Sequence, residues 1–92
     1  LEFSGEIIYW RGPSPYYFVA VPPEQSSDIK AISGLVTYGW GCIPAAARIG
    51  ATEYKTSLFP RNGGYVVPVK DAVRKAEALG QGDVVAVRLE IR

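Results

Sequence analysis

The amino-acid sequence predicts a mostly β protein: a closed or nearly closed small barrel of six to seven strands with two short helices. Three observations carry that expectation. Val85, Val87, Leu89 and Ile91 alternate with Ala86, Arg88 and Glu90, the period-two pattern of a strand with one covered face. Asn62-Gly63-Gly64 separates two β-rich runs with residues that take positive φ cheaply, which is hairpin chemistry. Helical spacing is confined to two brief stretches, near Pro23–Ile32 and Asp71–Leu79, while short strands and glycine-rich turns fill the rest.

Taken in order, Phe3, Gly5, Ile7 and Tyr9 alternate with Glu2, Ser4, Glu6 and Ile8, giving a first strand. Arg11-Gly12-Pro13-Ser14-Pro15 turns the chain, and Tyr16 to Val21 reads as the partner strand of a hairpin. Its unbroken apolar run predicts cover on both faces. Pro22-Pro23-Glu24-Gln25 opens the first helix, because proline lacks only an N–H that has no partner there and Glu24 suits the positive helix end. Ile29 and Ile32 form its buried stripe, and Ser33-Gly34 ends it.

Leu35 to Trp40 reads as a further strand, with Gly39 and Gly41 marking a bulge or bend around Trp40. Ile43, Ala45, Ala47 and Ile49 alternate with Pro44, Ala46 and Arg48, and Pro44 places the strand's start or an edge there. Thr52 to Phe59 and Tyr65 to Val69 follow, joined by Pro60-Arg61-Asn62-Gly63-Gly64. Asp71 to Leu79 is the second helix, with Ala72, Val73, Ala76 and Leu79 on one face and Gly80 as terminator. Gln81-Gly82-Asp83 then turns into the last strand.

Composition bounds the function. At 92 residues, 48% hydrophobic, the chain suits one globular domain spanning 1–92. Its apolar runs fall well short of the ~18 residues a membrane helix needs, and no leader-like segment is visible, so a cytoplasmic protein without membrane contact is expected. Cys42 is the sole cysteine, so no internal disulfide forms, and it is expected to be a small buried hydrophobe. Histidine is absent, which removes the commonest general base and neutral metal ligand. A Ser-His or Cys-His nucleophile cannot be built from this chain alone, nor can a conventional zinc site. No enzyme, metal or cofactor is therefore expected. Net charge is +1, too small to argue for nucleic acid by itself, but residues 48–75 hold six basic groups against Glu53 and Asp71.

Three candidate features remain. Lys55 and Ser57 lie two apart on a strand and so share a face, the spacing of a Ser-Lys pair, but with no oxyanion hole or orienting group beside them they are read as a solvated lysine and a hydrogen-bonded cross-strand serine. Asn62-Gly63-Gly64 offers backbone N–H groups beside Arg61, as an anion site would, while serving as a plain hairpin turn. Trp10, Tyr16, Tyr38, Trp40, Tyr54, Phe59 and Tyr65 are many rings for so short a chain. Most are expected in the core, and a few at a barrel mouth or dimer contact. The expected ligand-binding set is Trp40, Tyr54, Lys55, Ser57, Arg61, Tyr65 and Arg74, with no catalytic and no metal residue.

Trp40-Gly41-Cys42-Ile43-Pro44, Arg48-Ile49-Gly50, Thr56-Ser57-Leu58-Phe59-Pro60, Gly64-Tyr65, Pro68-Val69-Lys70, Val73-Arg74-Lys75-Ala76-Glu77 and Gly82-Asp83-Val84 together resemble the bacterial domain-of-unknown-function family 1905. The resemblance covers nearly the whole chain. Tyr54 stands where that family often has tryptophan. The resemblance implies a small split β-barrel, a shape shared loosely with dimeric bacterial regulators that bind DNA, and it carries no activity or catalytic residue. The expected function is a non-catalytic binding module for a small molecule or protein partner. A homodimeric DNA-binding regulator is the alternative and a hydrolase ranks below it; DNA is disfavoured because no helix presents an uninterrupted basic stripe.

Overall fold

Alternating apolar residues become six antiparallel strands in the computed structural model, which describes residues 1–12, 16–36, 42–61 and 63–91, the side chains of 32–36 excepted. The strands β1 (Glu2–Trp10), β2 (Tyr16–Ala20), β3 (Ile43–Ile49), β4 (Thr52–Arg61), β5 (Gly64–Val69) and β6 (Val84–Ile91) close a barrel in the order β1-β2-β5-β4-β3-β6. Two helices, α1 (Pro23–Val36) and α2 (Asp71–Ala76), complete the fold. The expected small barrel with two helices is the structure found.

Closure depends on two strands that each divide between partners. In β1, residues 2–6 pair with β6 and residues 7–10 with β2. In β4, residues 52–58 pair with β3 and residues 59–61 with β5. At the β1 switch a Cβ on Gly5 would come within 2.6 Å of Val19 Cγ1 and 3.4 Å of the Ala20 carbonyl oxygen. The strands approach this closely because residue 5 has no side chain.

Inward positions build one core. Ile7, Val19, Ile43, Ile49, Leu58, Val67 and Val87 are almost wholly buried, with Ala45 and Ala47 as small fillers from β3. Ile29 of α1 and Val73 of α2 join that core from opposite ends of the barrel. At one end the Ser26 hydroxyl donates to the Val21 carbonyl (3.2 Å) and accepts from the Tyr65 N–H (3.2 Å), fixing α1 to β5. At the other, Thr52 Oγ1 donates to Glu77 Oε2 (2.6 Å), joining β4 to the end of α2. Both faces of β2 are covered where Phe18 and Val19 lie, as its apolar run predicts, but Ala20 is exposed.

Four expectations need correction. The first helix does not stop at Ser33-Gly34: α1 runs to Val36, so Leu35 and Val36 are helical rather than the start of a strand. A helical glycine costs only about 1 kcal/mol relative to alanine, too little to end a helix anchored elsewhere. The rest of that expected strand, with Trp40 and its flanking glycines, lies outside the described residues.

The second correction concerns the β4–β5 turn, which is tighter than five residues because Pro60 and Arg61 continue β4 opposite Tyr65 and Gly64. Tyr65 directs its N–H to Ser26 and its C=O to the Val21 N–H, away from Pro60. A proline there forfeits no ladder bond. Asn62, within the turn, lies outside the described residues.

Third, α2 ends at Ala76 and not at Gly80. Ala78 takes the left-handed conformation (φ 53°) while the Leu79 N–H donates to the Arg74 carbonyl (2.9 Å) and the Ala78 N–H to Lys75 (3.4 Å). This is the paired-bond helix ending usually made with glycine, and it turns Leu79 onto the core. Fourth, Cys42 is half-buried rather than buried, because it stands just before β3 and outside the alternating run.

An alanine in the left-handed region is strained by roughly 1–2 kcal/mol, part of which glycine would return as unfolded-chain entropy. Ala78→Gly is expected to raise stability by about 0.5–1 kcal/mol, read as a higher midpoint in urea unfolding with an unchanged slope. A lower midpoint would contradict the strain.

Candidate functional site

Strand alternation sends every second residue outward, and the two halves of the barrel carry different chemistry there. Outside β3 and β6, and on the adjoining lengths of β1 and β4, stand Glu2, Ser4, Glu6, Arg48, Glu53, Lys55, Arg88 and Glu90. Arg88 and Glu2 form an exposed ion pair at 3.1 Å. Outside β1, β2, β5 and the end of β4 stand instead Ile8, Trp10, Tyr16, Phe18, Val66, Pro68 and Phe59. Ile8 and Phe59 are 39% and 43% exposed, large for apolar side chains.

Along this apolar wall the rings form a ladder. Trp10 and Tyr16 lie with centroids 5.5 Å apart, Tyr16 and Phe18 5.4 Å apart, and the Arg61 guanidinium sits 5.0 Å above the Phe18 ring. A Cβ on Gly12 would overlap the Trp10 indole, so the ring lies directly on the backbone of residue 12. Phe18 is only 3% exposed, whereas Trp10 and Tyr16 remain half-buried.

Beside the ladder, at the α1 end, lies a groove of ≈ 610 Å³. Its floor is Ile8, Phe18, Ala20 and Val66. One flank is the Pro23, Ser26, Ser27 and Lys30 face of α1, residues three and four apart and hence on one side of the helix. Arg61, Gly63, Gly64 and Tyr65 form the other flank. The described lining holds two basic side chains and no carboxylate.

A second groove, of ≈ 600 Å³, lies at the α2 end of the barrel, where Tyr16 and Pro68 of the outer wall meet Tyr9 and Tyr17 from inward positions of β1 and β2, together with Lys70, Asp71 and Arg74. Arg74 lies flat on Tyr17, its Cζ 3.8 Å from the ring centroid, and its Nη2 donates to Asp71 Oδ1 at 3.1 Å. Its buried Nε has no oxygen or nitrogen partner among the described residues, and the negative face of Tyr17 offsets part of that cost. Lys70 stands 6.0 Å from the Tyr54 ring.

Among the described residues, those expected to bind ligand do not share one groove. Arg61 and Tyr65 meet in the α1-end groove, and Arg74 lines the α2-end groove. Tyr54 points inward, packs on the core and donates its hydroxyl to the Pro68 carbonyl (2.8 Å). Lys55 and Ser57 share the outer face of β4, as their spacing predicts, but sit opposite Ala46 and Pro44 and border neither groove. Trp40 lies outside the described residues. Sequence reasoning passes over Ile8, Phe18 and Lys30. A signal existed: Ile8 and Trp10 occupy positions where an alternating strand facing water would carry polar groups.

Among the described residues no group of three or more histidine, cysteine, aspartate or glutamate side chains is placed to hold a metal, and no helix is long and apolar enough to cross a membrane. Fold and surface together define a small antiparallel barrel with both ends capped by helix and one aromatic, basic outer wall. Residues 3–89 match the model of the family described as Domain of unknown function (DUF1905), and the chain belongs to that family. None of the curated proteins compared with the chain matches it.

Burial pushes the Tyr54 phenol from 10.0 up to about 12. The folded value exceeds the unfolded one, so the stabilisation is whole below about pH 10 and fades as pH rises toward about 12. Tyr54→Phe, which also loses a hydrogen bond, is expected to lower stability by about 1 kcal/mol at pH 7 and to flatten the alkaline loss. Denaturant unfolding between pH 7 and 12 measures both; an equally steep loss in the variant would refute the assignment.

Proposed function

We propose that this protein is a non-catalytic binding module whose ligand seats in the α1-end groove, and that the ligand is an anion bearing a flat apolar body. The observation that carries this reading is Arg61 lying over Phe18 in a groove that Lys30 also lines and that holds no carboxylate among the described residues. Apolar surface chiefly from Ile8 and Ala20, with Phe18 and Val66 buried beneath it, would take the body of the ligand, since removing such area from water is favourable. A guanidinium partly desolvated by a ring makes a stronger, charge-assisted bond to an incoming anion than it would in open water.

The duplex-DNA reading has less support. Arg48 and Lys55 stand outside β3 and β4, on the other half of the barrel from Arg61, Lys70 and Arg74, so these basic groups do not all share one face. With only six residues, α2 is short for entering a major groove.

Titrating ¹⁵N-labelled protein with phenyl phosphate, benzoate and neutral benzyl alcohol tests the proposal. Both anions are expected to shift amides around Phe18, Ser26, Arg61 and Tyr65, and Arg61→Gln to weaken phenyl phosphate about tenfold. Lys55→Gln is expected to change nothing. Shifts centred on β3 and β6, or equal affinity for benzyl alcohol, would overturn it.

A further inference from the structure

We infer that the two grooves and the ring ladder between them form one extended site, and that its occupant is single-stranded nucleic acid. This rests on the proposed anion reading of the α1-end groove and names the ligand class.

The geometry joins the grooves. Phe18 lines one, Tyr16 lines the other, and their rings stand 5.4 Å apart on neighbouring outward positions of β2. Trp10 extends the ladder across to β1. Lys30 and Arg61 lie at one end of this tract, Lys70 and Arg74 at the other. Residues 64–70 run between the ends and span roughly 20 Å at about 3.3 Å per residue.

Charge selects among occupants. Among the described residues the two linings contain four basic side chains and one carboxylate, Asp71, already bonded to Arg74. A second copy docking by two-fold symmetry would set this cationic tract against itself, with no acidic counterpart to meet it. A single aryl anion would fill one groove and leave the ladder and the far cations unused. A single strand supplies both needs at once, with phosphates for the cations and bases for the rings. Stacking on aromatic side chains tolerates any sequence and is worth about 1–3 kcal/mol per base. The half-buried faces of Trp10 and Tyr16 would take bases directly. Arg61, planar and lying over Phe18, offers both a stacking surface and a phosphate donor. Duplex hides its bases from such a wall, so single strands are selected.

Fluorescence anisotropy with labelled thymidine monophosphate, dT4, dT8, rU8 and a 12-base-pair duplex, at two salt concentrations, tests this. Affinity is expected to rise at least tenfold from the mononucleotide to dT4 and to exceed duplex affinity at the same salt. The dT8 salt slope should lie near 2–3, about 0.7 per phosphate contacted. Tyr16→Ala and, separately, Arg74→Gln should each weaken dT8 about tenfold; circular dichroism and melting confirm that each is folded. Comparing dT8 with rU8 tells DNA from RNA preference, and tight binding of either supports the site. Mononucleotide binding with no gain in length would overturn this inference and leave the anion-binding reading standing. Loss of mononucleotide and aryl phosphate binding alike would remove both. Duplex bound as tightly as dT8, or a dimer in sedimentation whose interface is the Trp10–Tyr16 wall, would also overturn it.

Discussion

Everything in this molecule depends on two strands that change partners. A flat sheet of six short strands would leave two edges unpaired and one apolar face wet. Because β1 passes from β6 to β2 and β4 passes from β3 to β5, the sheet curls until its first and last members meet. The inward residues then bury one another, and Ile29 and Val73 stop the open ends. The close passage of Gly5 against Val19 is the local condition for that curl. It is an arrangement in which a missing side chain matters as much as any contact.

The same switch sorts the outside. Where β1 lies against β6 its outward residues are Glu2, Ser4 and Glu6; where it lies against β2 they are Ile8 and Trp10. β4 follows suit, from Glu53 and Lys55 to Phe59 and Arg61. Chemistry on the surface therefore changes within single strands, at the points where the partner changes. An outer wall built this way has its rings on regular strands, and regular strands hold side chains in fixed register.

Much of this architecture is legible before any coordinates. The Val85–Ile91 alternation, the β1–β2 hairpin and the β-rich runs around Gly63-Gly64 are strong local signals and appear where their patterns place them. The misses have physical causes. Pro60 looks like a strand breaker, yet its absent N–H would point where no partner waits. Gly80 looks like a helix stop, yet Ala78 bears the strain two residues earlier because that turn carries Leu79 to the core. The site was less legible than the fold. Neighbours such as Tyr54 and Lys55 read as one cluster along the chain, but strand geometry sends them to opposite sides of the wall. Phe18 meets Arg61 only through the pairing order β2-β5-β4, which no local pattern announces.

Closure also limits the language in which this protein can be addressed. Many small β domains recruit a partner by lending it the free hydrogen-bonding edge of a sheet, so that recognition is written largely in main chain and is indifferent to much of the partner's sequence. Here each of the six strands is flanked on both sides. Among the described residues no strand is left without a partner on one side over its whole length, although β1 and β4 each pair with one neighbour at a time. Side chains on the outer wall are what is left to speak with. If the proposed reading holds, replacing one exposed ring or guanidinium there would change the ligand while leaving the inward core untouched.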